Sequence, residues 1–305
     1  MLTPTRFVWF DGHLVPWDQA TVHVLSHGLH YGSGVFEGIR VYATVDGPAA
    51  FRLTDHMKRL AASAKAYRIP LAWSPDELAK AALDLVRAND LSACYLRPIV
   101  FYGTGSIGLN PKGAVVNTAI IAFEMGAYLG AEGLDKGVRV RVSSWRRVGH
   151  ESFVPNAKGA GQYLNSVLAK QEALTAGYDE ALMLNHDGYV VEGTGENLFV
   201  VRDGVVRTPP TWAGALDGFT RASVMRLLGD DGMTVVEEQL SRSDLYYADE
   251  AFFTGTAAEV TPIYEIDDRT VGPGTPGPVT RRAQSRYMAA VRGEVPAYRH
   301  WLEFA

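Results

Sequence analysis

Apolar and polar positions divide the chain into short strands that meet at tight turns, interspersed with helices. Trp9-Phe10-Asp11-Gly12-His13-Leu14-Val15 reads as a hairpin turning at Asp11-Gly12, a pair that tolerates the positive φ of such a turn. An apolar, glycine-punctuated stretch follows from Leu29 to Tyr42. Leu53, Met57, Leu60, Ala64 and Tyr67 recur at three- and four-residue spacing, which predicts a helix over about 54–68, stopped by Pro70. Ser74-Pro75-Asp76-Glu77 opens the next helix with a capping serine, proline in the first position and glutamate in the third. Strands are expected at Tyr95–Tyr102 and Asn117–Glu124, so the first part reads as a small sheet with two helices.

The glycines of Gly126-Ala127-Tyr128-Leu129-Gly130-Ala131-Glu132-Gly133 predict a turn-rich connector. This gives a small N-terminal α/β domain over 1–125, a connector over 126–136 and a larger C-terminal domain over 137–305. Val138, Val140 and Val142 alternate with Arg139, Arg141 and Ser143 as a new strand. A helix is expected from about Gln162 to Ala176, hairpins at Asp187-Gly188 and Asp203-Gly204, and helices near Thr220, Ser241 and Pro278. Strands meet at hairpin turns more than through crossover helices, which predicts a mixed α/β (α+β) fold and not a doubly wound one.

A chain of 305 residues suits two domains at about 100–200 residues each. With 47% hydrophobic and 21% charged residues it can fill a sizeable core. A net charge of -5 leaves no electrostatic footprint for nucleic acid. No stretch reaches the ~20 apolar residues that span a bilayer, and Met1-Leu2-Thr3-Pro4 does not open a signal peptide. A cytoplasmic protein is therefore expected. The single cysteine, Cys94, excludes an intrachain disulfide and reads as a small buried residue.

The chain has seven lysines, and one of them is set apart from the rest. Lys58, Lys65, Lys80 and Lys170 fall in helical patterns, and Lys112 and Lys136 stand beside glycine in turns. Lys158, in Pro155-Asn156-Ala157-Lys158-Gly159-Ala160-Gly161, has small neighbours and no acid within five positions. A desolvated lysine without a counter-charge suits Schiff-base chemistry, although a plain loop lysine explains the same pattern. Glu192-Gly193-Thr194-Gly195-Glu196-Asn197 places acids among glycines between two strands, as a ligand contact or a hydrated hairpin would. Gly218-Phe219-Thr220-Arg221 starts a helix, whose free amides favour a phosphate as well as a simple cap. Gly255-Thr256-Ala257-Ala258 is a strand-to-loop turn able to present successive amides to an anion. Arg97 and Arg40 interrupt apolar strands, where arginine faces solvent or meets a carboxylate. The eight histidines show no zinc spacing, so no metal is expected.

Taken together and in order, these pieces resemble the branched-chain aminotransferases of the class IV, fold-type IV pyridoxal-phosphate family. The resemblance is carried by Val24 through Gly32, Val35-Phe36-Glu37-Gly38-Ile39-Arg40, His56-Met57-Lys58-Arg59-Leu60 and Tyr95-Leu96-Arg97-Pro98. It continues through Gly126 to Gly130, Ala157-Lys158 to Tyr163-Leu164, Glu192-Gly193 to Glu196-Asn197-Leu198-Phe199, Gly218 to Arg221, and Ser241 to Ala258-Glu259. It runs from about residue 7 to 292.

What it implies is a small N-terminal domain, a larger β-barrel-like C-terminal domain with helices, and pyridoxal 5'-phosphate between them. Lys158 matches the family's Schiff-base lysine and proton shuttle, and Glu192 the carboxylate at the pyridine nitrogen. Tyr163 resembles the phenol at the ring oxygen. Arg59, Thr220 and Thr256, with amides near Phe219, resemble the phosphate cup. Tyr95 and the amides of Thr256 and Ala257 match the α-carboxylate site. Tyr31, Phe36, Gly38, Leu109, Met125 and Tyr128 match the side-chain pocket, some of them from a second subunit, and Arg97 the distal carboxylate of glutamate. The implied reaction is transamination between leucine, isoleucine or valine and 2-oxoglutarate in a homodimer or larger assembly. Alternatives are a relative acting on D-amino acids or R-amines, or a non-catalytic small-ligand-binding protein.

Overall fold

The computed structural model describes residues 3–126 and 128–305. Met1, Leu2 and Ala127, on which the expectations for the N-terminus and for the Gly126–Gly130 piece partly rest, lie outside the described residues. The chain forms two compact units.

The first unit is built from residues 3–125, Ala157–Gly161 and Ala289–Ala305. Its elements are β1 (Phe7–Phe10), β2 (His13–Pro16), α1 (His27–Tyr31), β3 (Gly34–Phe36), β4 (Ile39–Thr44), β5 (Gly47–Phe51), α2 (Leu53–Ala66), α3 (Pro75–Ala88), β6 (Cys94–Tyr102) and β7 (Val116–Phe123). The strands run β5-β4-β6-β7-β1-β2 across one sheet, with β3 also on β6. The first hairpin turns where expected, with φ 45° at Asp11 and 93° at Gly12. Leu53, Met57 and Leu60 of α2 and Leu78, Ala82 and Leu85 of α3 are buried in one core with Ile39, Leu96 and Ile120 of the sheet. Burying such side chains stabilises the unit by about 1.5–3 kcal/mol for each large aliphatic residue. Cys94 is part of this core, and burial pushes its thiol up to about 12.

The second unit comprises Gly126–Asn156 and Gln162–Met288. It holds α4 (Gly130–Lys136), β8 (Val138–Arg146), α5 (Tyr163–Thr175), β9 (Glu180–Leu184), β10 (Tyr189–Gly193), β11 (Asn197–Arg202), β12 (Val205–Thr208), α6 (Phe219–Asp230), β13 (Val235–Glu237), β14 (Leu240–Ser241), α7 (Arg242–Tyr246), β15 (Glu250–Gly255), β16 (Glu259–Ile266), β17 (Arg269–Thr270) and most of α8 (Pro278–Val291). Six strands pair in the order β11-β15-β16-β8-β9-β10, and β10 pairs back to β11, closing a barrel. Closure removes the open edges that a sheet of this size would otherwise present. Val140, Leu182, Leu198, Phe253 and Ile263 are among its buried apolar residues.

Two expectations are corrected. The stretch 126–136 is not all turn, because Gly130–Lys136 is helical despite its glycines. The domains are also not continuous in sequence. Ala157–Gly161 joins the first unit through a bridge between Val35 and Gly159 and hydrogen bonds to β3 and α2. The C-terminus joins it as β18 (Leu302–Phe304), which pairs with β5. Both attachments are hydrogen bonds between distant residues, which leave no local pattern.

Candidate active site

In the first unit, Lys158 is held by its backbone on both sides. Its N–H donates to Ser63 Oγ at 3.0 Å, and its carbonyl accepts from Phe36 N at 3.1 Å. Ser63 is a buried residue of α2, so helix and strand together fix where the lysine leaves the chain. The side chain extends over the Phe36 ring, with Nζ 5.2 Å from its centroid. The Arg97 guanidinium lies 4.9 Å from the same centroid and 5.3 Å from that of Tyr95. One aromatic ring therefore carries both cations.

Arg97 comes from β6 and has a buried Nε without a hydrogen-bond partner among the described residues. Its Nη2 donates weakly to the Tyr95 hydroxyl at 3.5 Å, and among the described residues it forms no ion pair. Tyr95 is buried, and a side chain at Gly38 would run into its hydroxyl, so only glycine fits there. Tyr31 ends α1 and donates from its hydroxyl to Ile107 O at 2.6 Å. Met125 is half-buried, whereas Leu109 is 84% exposed.

Arg59, on α2, gives Nε to Glu37 Oε1 at 2.6 Å and Nη2 to Oε2 at 2.9 Å. His56, one turn earlier, places Nδ1 2.7 Å from Glu37 Oε2. Burial alone would raise the Glu37 carboxyl, yet Arg59 and His56 hold it well below the usual carboxylate range. Burial pushes the His56 imidazole down against the pull of Glu37, so it donates as a neutral ring from Nδ1. This buried cluster, with Ser63, was not anticipated from sequence beyond Arg59 itself. Its members pair across the fold, and only the helical spacing of His56, Arg59 and Ser63 hinted at a shared face.

In the second unit, Glu192 is a buried residue of β10. It accepts from Arg147 Nε at 2.9 Å, Asn197 Nδ2 at 3.2 Å and Leu216 N at 3.0 Å. Asn197 also donates to Leu216 O at 2.9 Å, and a side chain at Gly218 would collide with its amide oxygen. Through Asn197, the segment leading into α6 lies against Glu192. Phe219 and Thr220 form the first turn of α6, with Thr220 buried, so the positive end of a 12-residue helix starts there. Thr256 and Ala257 lie in the turn between β15 and β16, whose Gly255 would place a Cβ 3.6 Å from Gly195 O. Tyr163 is the half-buried first residue of α5. Tyr128, 46% exposed, sits by Lys170 with Nζ 5.9 Å from its ring centroid. Arg147 was missed, since a Trp-Arg-Arg sequence at a strand end carries no sign of a partner 45 residues away.

The first unit offers a lysine on an aromatic wall and an arginine, and the second a buried carboxylate and a helix start for an anion. These are donor types that a phosphorylated, electron-withdrawing aromatic cofactor calls for. A sequence profile of the family described as amino-transferase class IV matches residues 34–266. The branched-chain-amino-acid aminotransferase of Pseudomonas aeruginosa is 48% identical over 96% of this chain and 95% of its own. The crystal structure of the Escherichia coli branched-chain amino acid aminotransferase superposes with a TM-score of 0.96 at 46% identity, covering 98% of this chain and 99% of that one. The branched-chain amino acid aminotransferase of T.th., complexed with N-(5'-phosphopyridoxyl)-L-glutamate, gives 0.94 at 46% identity, covering 98% of each chain. With a profile matched over most of its length and relatives this close along the whole chain, the protein belongs to the class IV aminotransferases.

Proposed function

We propose that this chain transfers the amino group of leucine, isoleucine or valine to 2-oxoglutarate, with pyridoxal 5'-phosphate as cofactor. The observation that carries this reading is the Phe36 ring shared by Lys158 and Arg97. An aliphatic side chain packs on the aromatic surface, and a distal carboxylate meets an arginine that pairs with no carboxylate among the described residues. One pocket can then serve both substrates. The names of the relatives, and the phosphopyridoxyl-glutamate bound to one of them, support the same reading.

The cofactor supplies an electron sink that stabilises negative charge at the substrate α-carbon. Lys158 would hold it through its amine, and the same amine would move the substrate α-proton. Glu192 holds the ring nitrogen, and Tyr163 hydrogen-bonds the ring oxygen. Arg59, Thr220, Thr256 and the amide at Phe219 hold the phosphate. The Tyr95 hydroxyl and the amides of Thr256 and Ala257 orient the α-carboxylate. Phe36, Gly38, Tyr31, Leu109, Met125 and Tyr128 form the side-chain wall. Part of that wall comes from a second copy of the chain, which explains why Leu109 stands exposed in a single one.

An apolar groove of about 340 Å³, lined by Val22, Leu29, Phe101 and Ile121 among others, supports self-association. Leu25, Leu29 and Tyr31 stand exposed in the same region of the first unit. No described helix is long and apolar enough to cross a membrane.

The visible spectrum of the purified protein, before and after L-leucine without a keto acid, tests the reading. A lysine-bound cofactor band that converts to the amine form with L-leucine is expected. A protein that binds no pyridoxal phosphate would sink the proposal, and a band that answers only D-leucine or amines would overturn the substrate.

A further inference from the structure

The barrel unit buries three neighbouring acids, and two cations stand against them. Glu180 accepts from Lys170 Nζ at 2.7 Å, from Thr194 Oγ1 at 2.7 Å and from Ala181 N at 2.7 Å. Glu192 lies against Arg147, and Glu196 accepts a hydrogen bond from Gly195 N at 3.1 Å. Burial, and after it the Glu180 carboxylate, pushes the Glu196 carboxyl up to about 8. Near neutral pH Glu196 is therefore mostly protonated. The two remaining carboxylates each have their own cation, Lys170 for Glu180 and Arg147 for Glu192.

We infer that Arg147 is a positioning residue for the reaction: it keeps Glu192 ionised, so that the proton between Glu192 and the cofactor's ring nitrogen stays on the nitrogen. The inference rests on the reading of Glu192 given above. An ionised acid facing a protonated pyridine and a neutral acid facing a neutral pyridine differ only in where one proton lies. Burial alone favours the neutral pair. Glu192 is buried, and Asn197 and the Leu216 amide offer it only uncharged donors. Arg147 adds a charge-assisted bond, roughly twice as strong as a neutral one, and tips the balance towards the ion pair.

The setting of Arg147 agrees with this role. Its backbone N–H donates to Leu184 O at 2.8 Å, just beyond the end of β8, which places the side chain inside the barrel unit. It is 6% exposed, and its Nη1 is buried without a hydrogen-bond partner among the described residues. Apolar packing would avoid that cost if the pair served stability alone.

The test loads the purified protein with pyridoxal phosphate labelled with nitrogen-15 in the ring and reads the ring-nitrogen chemical shift near neutral pH. Wild type and Arg147→Lys are expected to show a protonated ring. Arg147→Gln is expected to move the signal to the unprotonated-pyridine position. It should also lower kcat about 10–100-fold with little change in KM, the usual scale for a partner behind a contacting group. Arg147→Met, which fills the space without charge, provides a second charge-removing variant should the glutamine variant fold poorly. An unchanged nitrogen signal in the folded uncharged variants would overturn the inference, and so would an equal shift in Arg147→Lys. Glu192→Gln separates the two claims. If it leaves the ring protonated, the assignment of Glu192 fails. If it deprotonates the ring while Arg147→Gln does not, the role of Arg147 alone fails.

Discussion

A guanidinium laid across aromatic rings keeps its charge while giving up much of its water, and Arg97 is in that state between Phe36 and Tyr95. A glutamate side chain would meet it with a full charge-assisted pair, worth about 1.5–3 kcal/mol, while leucine would leave it as it is. Arg97→Ala should therefore slow the glutamate half-reaction about 10–100-fold and the leucine half-reaction only slightly, read by single-turnover absorbance with each substrate. Equal losses would remove Arg97 from substrate recognition. Glu196 makes a different prediction. Its carboxyl is raised from 4.5 to about 8 in the folded protein, by burial first and by Glu180 next. Between those values the folded chain holds a proton that the unfolded chain has lost. The stabilisation is complete below pH 4.5 and drains away as pH rises through about 8. Glu196→Gln, which imitates the neutral acid, should flatten this slope, so the variant gains on wild type in urea midpoint from pH 5 to pH 8. Parallel curves would mean that Glu196 is not held protonated.

At the level of elements, what could be foreseen depended on whether the cause was local. Ser74 illustrates the foreseeable kind. Its Oγ accepts from Glu77 N at 3.3 Å while the Glu77 carboxylate accepts from Ser74 N at 2.8 Å, as the order Ser-Pro-Asp-Glu had implied. Ser74→Ala should cost about 1 kcal/mol of stability in urea and leave turnover intact, since α3 only braces the sheet. A loss of turnover at unchanged stability would contradict that role. The Asp11-Gly12 hairpin was foreseeable for the same reason, because its turn chemistry sits within four residues. The helix expected near Thr220 forms too, but it starts at Phe219 with Gly218 as N-cap and no side-chain cap, so Thr220 lies inside the helix and does not cap it. The helix Gly130–Lys136 was hidden because its glycines match a loop composition while its pairing of Lys136 with Glu132 at 2.8 Å is helical. Lys158 and Glu192 were singled out through their neighbours. Ser63, Glu37 and Arg147, which hydrogen-bond Lys158, Arg59 and Glu192, were not, because each acts on a residue far away in sequence.

For the whole molecule, the last residues of the chain complete the first sheet and close the start of the helix that carries Arg59. β18 pairs Leu302 with Phe51 and Phe304 with Ala49, and Ala305 N donates to Pro48 O at 2.9 Å. Arg52, at the N-cap of α2, has φ 55°, and its side chain, which donates to Asp55 Oδ2, has no acceptor to offer the first amides of the helix. The cap comes instead from Glu303, which accepts from Thr54 N at 2.8 Å and from Thr54 Oγ1 at 2.7 Å. Removing residues 302–305 takes away this cap, worth about 0.5–2 kcal/mol, and the burial of Leu302, worth about 1.5–3 kcal/mol. A loss of about 2–5 kcal/mol is expected in urea unfolding of the truncated protein. Glu303→Ala alone should lose only the cap, about 1 kcal/mol, and isolates it from the packing. The effect should not stop at stability, because His56 and Arg59 lie in the first two turns of α2. A frayed start loosens the pair between Arg59 and Glu37. Affinity for pyridoxal phosphate should then fall more than affinity for pyridoxal, which lacks the phosphate. An equal fall for both would show that the C-terminal strand supports the unit as a whole without bearing on Arg59, and an unchanged urea midpoint would show that it supports neither.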